Sequence, residues 1–106
     1  MALTGKYHCS EINSTINITE ADNRTGQASG TIEIGGSTIS INIFYHFENS
    51  VGPVTNLWLA GNKNDPNQYV GAAGVTENTS FSTIRVAGGY SAEAEVNTFE
   101  GTYRRQ

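Results

Sequence analysis

The sequence predicts an all-β fold, and three observations support this prediction. Ile, Val, Thr, Tyr and Phe recur along all 106 residues, whereas no stretch has the density of Ala, Leu, Glu and Lys that a stable helix needs. In several segments apolar and polar residues alternate, as they do on a strand with one buried face. Short clusters of Gly, Asn and Asp separate these segments. The length is that of one domain, which we expect to span residues 1–106.

The first two strands are predicted near the start of the chain. The opening strand covers Gly5 to Ser10. In the second strand Ile12, Ile16 and Ile18 have the same parity, which predicts that all three point into the core. This strand is expected to stop at the turn residues Asp22-Asn23.

The third and fourth strands form a predicted hairpin. The third strand covers Ala28 to Ile34, and the Gly35-Gly36 pair that follows is typical of a tight hairpin turn. The fourth strand, Ser37 to Phe47, has the most regular alternation in the chain. His46 is predicted to face solvent. The opposite, buried face is predicted to contain Ile39, Ile41, Ile43, Tyr45 and Phe47.

Four further strands are predicted in the second half of the chain. Pro53 marks the start of the fifth, which continues through Asn56 to Ala60, because proline is tolerated at the first position of a strand. The polar segment Gly61 to Asn67 is expected to be a loop. The last three strands are predicted at Gln68 to Thr76, Ser80 to Gly88 and Ala94 to Tyr103, with Gly88-Gly89 separating the last two.

The number of strands and the short connections predict how the strands are arranged. Eight short strands joined by brief linkers are typical of an antiparallel up-and-down meander, and closing it into a barrel removes its two exposed edges. A β-sandwich usually needs a long crossover connection, and none is evident in the sequence. We therefore expect an eight-stranded antiparallel up-and-down barrel, with a β-sandwich as the alternative.

Several segments, taken in chain order, resemble the avidin and streptavidin family. Leu3-Thr4-Gly5-Lys6-Tyr7 stands where that family has a Gly-x-Trp first strand, and Ser14 to Thr19 stands where it has a Ser- and Thr-rich second strand. Further similar segments are Thr25-Gly26, Ser29-Gly30-Thr31, Gln68-Tyr69-Val70-Gly71 and Asn97-Thr98-Phe99. The resemblance implies an eight-stranded up-and-down barrel around a pocket for a small ligand.

The resemblance also implies which positions contact the ligand. The first strand of the family carries a tryptophan and then an asparagine that contacts the ureido oxygen of biotin, and the corresponding positions here are Tyr7 and Cys9. The several pocket tryptophans of the family are represented by Trp58. Among the polar contacts, Ser14 and Tyr69 carry over. Because of the two substitutions in the first strand, we expect biotin not to be the ligand.

The composition argues against nucleic acid and membranes as partners. The net charge is -4, and two of the six Lys and Arg residues are the neighbours Arg104 and Arg105. A phosphate backbone is bound by a cluster of cations, which this sequence does not offer. The apolar runs are too short for a membrane helix, and no segment has the pattern of a lipid-facing strand. We expect neither nucleic acid binding nor membrane insertion.

The sequence favours a cytoplasmic location. The chain turns polar directly after Met1-Ala2-Leu3, without the apolar segment of a secretory signal. Cys9 is the only cysteine, so no internal disulfide can form, which fits a reducing compartment. Secretion, with the signal removed, is the alternative.

We find no motif for catalysis or metal binding, so we expect a protein that is not an enzyme and has no cofactor. His8 and Cys9 are neighbours on a strand and point to opposite faces, which prevents them from acting as a catalytic pair. Two histidines and one cysteine, far apart in the sequence, give no metal-ligand spacing.

Trp58 is the central residue of the predicted binding site. Leu57 and Leu59 share one face of their strand, so the indole projects from the other face. A solvent-facing tryptophan near Asn56 and Asn62 suits a sugar, because the ring stacks on its apolar face and the amides bind its hydroxyls. The predicted ligand-binding residues are Trp58, Asn56, Asn62, Tyr69 and Ser14.

We therefore expect a non-enzymatic binding module for a small molecule or a carbohydrate, avidin-like or lectin-like, which holds its ligand at the open end or on the outer face of the barrel. The alternative is a structural or interaction protein. It would form a homo-oligomer through the exposed aromatic residues Trp58, Phe44 and Tyr69.

Overall fold

The computed structural model describes residues 3–46, 55–62, 68–76, 81–92 and 95–106. These residues form eight antiparallel strands that follow one another in chain order around a closed barrel. The strands are β1 (Gly5–Cys9), β2 (Ser14–Asp22), β3 (Gln27–Ile34), β4 (Ser37–His46), β5 (Thr55–Asn62), β6 (Tyr69–Thr76), β7 (Thr83–Ala92) and β8 (Glu95–Arg105). The predicted up-and-down barrel is confirmed. The β-sandwich alternative is wrong, because β1 pairs with β8 and closes the sheet.

The inward face of the barrel is apolar. On β4 the predicted alternation is confirmed, since Ile39, Ile41, Ile43 and Tyr45 are at most 5% exposed and His46 faces solvent. Phe47 lies outside the described residues. Inward side chains of the other strands join those of β4 in one buried cluster. Each large side chain in this cluster contributes about 1.5–3 kcal/mol through burial, so the interior dominates the apolar stabilisation of the barrel.

Arg105 holds the seam at which β1 meets β8. Its Nη1 and Nε donate to the backbone carbonyl oxygens of Thr4 at 2.8 Å and Phe81 at 3.3 Å. Its Nη2 donates to the hydroxyl of Tyr7 at 2.7 Å, and that hydroxyl donates to the carbonyl oxygen of Leu3 at 2.6 Å. One guanidinium therefore connects the segments that precede β1 and β7 with the end of β8.

Ile12 is not part of β2, which corrects the predicted parity. β2 begins at Ser14, and Asn13 before it has a positive φ of 49°. This left-handed backbone belongs to the turn between β1 and β2, where the alternation of a strand does not apply. Ile12 is accordingly 36% exposed, whereas Ile16 and Ile18 are buried as predicted.

Gly88 and Gly89 lie inside β7 rather than between strands, so the predicted boundary is wrong. Gly88 pairs with Ala72 of β6 and with Phe99 of β8. A Cβ at Gly88 would lie 2.6 Å from the Cα of Ala72, so glycine is required by the close approach of the neighbouring strand. β7 continues to Ala92, and the predicted first residue of the last strand, at position 94, lies outside the described residues.

Gly61 and Asn62 belong to β5, although the sequence predicts a loop from Gly61 onwards. Gly61 pairs with Ile41, and a Cβ on it would collide with the backbone carbonyl oxygen of Ser40. Close packing of strands again explains the glycine. The remainder of the predicted loop, residues 63–67, and the predicted strand start at Pro53 lie outside the described residues.

Candidate functional site

Trp58 projects from the outer wall of the barrel. Leu57 and Leu59 are 2% and 3% exposed and point into the core, whereas Trp58 between them is 52% exposed. The prediction that Trp58 lies outside the central core is therefore confirmed. Phe44 of β4 is its direct partner across the strands and is 56% exposed. Two half-exposed aromatic residues are thus cross-strand neighbours on the outer wall.

A groove of about 560 Å³ adjoins Trp58 on the outer wall of β5 to β8, and we call it the first groove. Ala73 and Ala87 lie in register with Trp58 and form its shallow floor. Polar side chains surround this floor. They are Asn56, Arg85, Glu100, Thr102 and Glu11. The first groove therefore combines an aromatic face with an amide, a hydroxyl, a guanidinium and two carboxylates.

A smaller groove of about 340 Å³ lies further along the same wall, and we call it the tyrosine groove. It is lined by Tyr69, Ser91 and Val96 around the bare backbone of Gly71 and Gly89. Tyr69 is 47% exposed, and its backbone N–H donates to the hydroxyl of Ser91 at 3.1 Å. Since β6 and β7 line both grooves, the first groove and the tyrosine groove share one face of the barrel.

A further groove of about 570 Å³ lies on the wall of β2 to β4 and contains none of the predicted site residues. Phe44 borders it, together with the carboxylates of Glu20 and Asp22 and the side chains of Gln27 and Asn42. Asp22 also carries the exposed ion pair to Arg24, with Nε and Oδ1 3.7 Å apart. Exposed pairs of this kind contribute little to stability.

The structure brings the predicted site residues together only in part. Asn56 and Trp58 line the first groove, and Tyr69 lines the tyrosine groove. Asn62 is the cross-strand partner of Tyr69 and lies about 13 Å along β5 from Trp58, at about 3.3 Å per residue. Four of the predicted residues thus share the outer wall but occupy two places on it.

Ser14, the fifth predicted residue, lies in the core instead. It is fully buried, and its Oγ donates to the backbone carbonyl oxygen of Glu33 at 2.6 Å. The hydroxyl of Tyr103 donates to the same Oγ at 2.8 Å. Burial raises the pKa of Tyr103, so this phenol stays a donor. The hydroxyl of Ser14 is therefore engaged by Tyr103 and by the backbone of Glu33, and it does not face the outer wall.

The positions that the avidin-like resemblance assigns to the first strand are also buried. Tyr7 and Cys9 are 0% exposed. The thiol of Cys9 donates to Oε2 of Glu11 at 2.8 Å, and burial together with this hydrogen bond raises the pKa of the thiol. A buried, protonated thiol is a poor nucleophile. His8 faces the other way, with its Nδ1 2.8 Å from Oγ1 of Thr15.

Among residues 3–46, 55–62, 68–76, 81–92 and 95–106, no three His, Cys, Asp or Glu side chains are grouped so that they could hold a metal ion. The described part of the chain also contains no helix that could cross a membrane.

Sequence reasoning missed most of the first groove. Arg85 and Ala87 of β7, and Glu100 and Thr102 of β8, face it because their strands pair in the register Arg85–Thr102 and Ala87–Glu100. Because the sequence predicted a strand boundary at Gly88-Gly89, it did not predict this register. Ile84 and Val86 are buried and alternate with exposed neighbours. This alternation in the sequence could have predicted that Arg85 and Ala87 face outward.

Comparison of the chain with protein-family models, with curated proteins and with solved structures finds no match. The avidin-like resemblance stays a prediction from short sequence segments.

Proposed function

We propose that this protein is a non-enzymatic binding module that takes a carbohydrate in the first groove, against Trp58. One observation carries the proposal: a half-exposed indole stands at the edge of a groove that also presents an amide, a hydroxyl and charged side chains. Sites for small ligands combine apolar surface with a few polar groups that fix orientation, and this groove has both.

The chemistry of the groove suits a sugar. The C–H face of a pyranose ring packs on an indole, which buries apolar surface without removing the hydroxyls from their partners. Asn56 and Arg85 supply donors, Glu100 is an acceptor, and the hydroxyl of Thr102 can act as either. The small side chains of the floor allow the sugar to approach the sheet closely.

The outer wall is a better candidate than the barrel interior. The inward side chains form one buried apolar cluster, and the hydroxyl of Ser14 is engaged by Tyr103 and Glu33. A polar ligand placed there would have to displace these groups, and leaving them unpaired costs about 1–3 kcal/mol each. On the outer wall, by contrast, the polar groups of the first groove face solvent.

Titration on a glycan array, followed by calorimetry with the glycans that bind, tests this function. We expect Trp58→Ala to weaken binding about tenfold or more, because it removes the aromatic surface on which the sugar packs. Glu33→Gln is the matched control, because this exposed residue lies on β3, across the barrel from β7, and should leave binding unchanged. Wild-type protein that binds no glycan, or equal binding by Trp58→Ala, would contradict the proposal.

Biotin is not the ligand that we propose. Tyr7 and Cys9 occupy the core positions where the avidin-like resemblance would place biotin contacts. We expect calorimetry with biotin to give no heat of binding. A submicromolar dissociation constant would show that the resemblance is functional despite these substitutions.

A homo-oligomer is the second candidate, and the exposed neighbours Phe44 and Trp58 favour it. Adjacent aromatic rings in solvent are typical of interface centres. Sedimentation of wild type and of Phe44→Glu distinguishes the two candidates. An oligomer that Phe44→Glu disperses supports an interface, whereas a wild-type monomer that binds glycan rules it out.

A further inference from the structure

We infer that the ligand is an uncharged linear glycan of several sugar residues, which lies along β6 and β7 from the first groove to the tyrosine groove. This inference rests on the proposed function and goes beyond it, because a single sugar against Trp58 would need only the first groove. The two grooves together define one surface, which we call the β6–β7 trough.

The strand register makes the trough continuous. Its outward-facing pairs follow one another along the two strands, namely Val75–Arg85, Ala73–Ala87, Gly71–Gly89 and Tyr69–Ser91. At about 3.3 Å per residue, the six-residue distance from Val75 to Tyr69 makes the trough about 20 Å long, which accommodates roughly four sugar residues. The surface is therefore longer than one sugar ring.

An exposed aromatic ring stands near each end of the trough. Trp58 borders it in register with Ala73, and Tyr69 lies four residues further along β6. Strand spacing and rise put the two Cα positions about 14 Å apart. With their Cα positions this far apart, we expect the two rings to stack on different sugars of one chain.

Gly71 supports a ligand at the middle of the trough. A Cβ on this residue would meet no heavy atom within 4 Å, and its φ is not among the positive ones, so neither packing nor backbone conformation requires glycine. Glycine weakens a strand, and inside a strand it often marks the place where a ligand approaches the backbone. At Gly88, by contrast, a Cβ would collide with atoms of the neighbouring strand.

The charges of the trough favour an uncharged chain. Among the residues that the structure describes, the first groove is lined by the carboxylates of Glu11 and Glu100 and the guanidinium of Arg85, and the tyrosine groove by uncharged side chains. The groove lining thus has one more carboxylate than guanidinium, although the charge of Arg104 also acts on Glu11. We expect this balance to disfavour uronate or sulfated glycans, because like charges brought together weaken binding.

Calorimetry with oligosaccharides of increasing length tests the inference. The probes are β-1,4-linked oligomers of glucose, N-acetylglucosamine, mannose and xylose, from the disaccharide to the hexasaccharide, with a polyuronate as the charged comparison. We expect affinity to rise about tenfold or more from the disaccharide to the tetrasaccharide and then to level off, because the second ring is engaged only by the longer chains. The polyuronate should bind more weakly than the uncharged oligomers.

Variants assign this length dependence to the trough. Tyr69→Ala should lower the affinity for the tetrasaccharide about tenfold and leave that for the disaccharide unchanged. Gly71→Val should have the same selective effect by filling the trough, and its melting curve checks that it folds. Glu33→Gln is again the control.

The outcomes separate this inference from the proposed function. Affinity that does not change with length, with Tyr69→Ala neutral, overturns the extended site but leaves sugar binding at Trp58 intact. Tighter binding of the polyuronate overturns the uncharged ligand. Failure of every oligomer to bind the wild type, with Trp58→Ala also without effect on the glycan array, overturns both.

Discussion

The guanidinium of Arg105 lies against the ring of Tyr7, with its Cζ 5.0 Å from the ring centroid and its Nη2 2.7 Å from the phenol oxygen. We expect Arg105→Gln to lower the free energy of unfolding by about 1.5–3 kcal/mol, the usual loss for hydrogen bonds to a charged group. The neighbour Arg104 is exposed, so Arg104→Gln should stay within about 0.5 kcal/mol of wild type. Urea denaturation of both variants measures this, and equal effects would argue against a role for Arg105 at the seam.

Tyr7 makes stability depend on pH in the alkaline range. Burial raises the pKa of its phenol from 10.0 to about 12, although the charge and the hydrogen bond of Arg105 act in the opposite direction. A folded-state pKa above the unfolded value means that the contribution of Tyr7 is fully present below about pH 10 and is lost as pH rises through about 12. The urea concentration at the unfolding midpoint should decrease as pH rises from 10 to 12. Tyr7→Phe should make this decrease smaller. A midpoint that is constant up to pH 12 would refute this.

The buried contact between Tyr103 and Ser14 should behave as a coupled pair. Ser14→Ala leaves the hydroxyl of Tyr103 and the carbonyl oxygen of Glu33 without this partner, and we expect it to cost about 1–3 kcal/mol. Tyr103→Phe should lower the free energy of unfolding less in the Ser14→Ala background than in wild type. In that background the Tyr103 hydroxyl has already lost Ser14 as its partner, so its removal takes away an unpaired donor. Strict additivity in this double-mutant cycle would show that the two groups do not interact.

Ile41, at the centre of β4, is 2% exposed. Ile41→Ala should reduce the free energy of unfolding by about 2–5 kcal/mol, because it removes buried methyl groups and leaves a cavity. Ser40→Ala is the matched control on the outward face and should change stability by about 0.5 kcal/mol at most. A small loss at Ile41 with a large loss at Ser40 would mean that the register of β4 is inverted.

Trp58 is the only tryptophan, so its fluorescence reports on one position. With half of its surface in solvent, the indole of a monomer should emit at long wavelength and be quenched by acrylamide. Binding of a glycan in the first groove should shift the emission to the blue and reduce quenching. Blue-shifted emission that acrylamide does not quench, in protein shown to be monomeric, would contradict the outward placement of the ring.

Where apolar and polar residues alternate regularly, the sequence predicted correctly which side chains face into the barrel. The buried face of β4 and the outward position of Trp58 follow directly from the side-chain period of two, which the closed sheet preserves. The prediction failed at Ile12, because a single residue with positive φ, Asn13, ends the alternation before β2 begins.

Glycine misled the prediction at Gly61 and Gly88. Sequence alone does not distinguish a glycine that forms a turn from one that makes room for a neighbouring strand, since the atoms that require it belong to residues far away in sequence. This error mainly affected the prediction of the first groove. Arg85, Glu100 and Thr102 come together only when β7 and β8 have the correct length and register. Ser14 was misplaced for a related reason, since its partner Tyr103 lies 89 residues away.

The closure of β1 onto β8 has a consequence for the order of folding. The other pairings join strands that are consecutive in the chain, and each can form as a hairpin with a short loop. Pairing of Tyr7 with Arg105 instead joins the first strand to the last. The entropic cost of closing this long loop is lowest when the other strands are already in place. We therefore expect the seam to form after the rate-limiting step. Loss of the Arg105 guanidinium should then accelerate unfolding much more than it slows refolding.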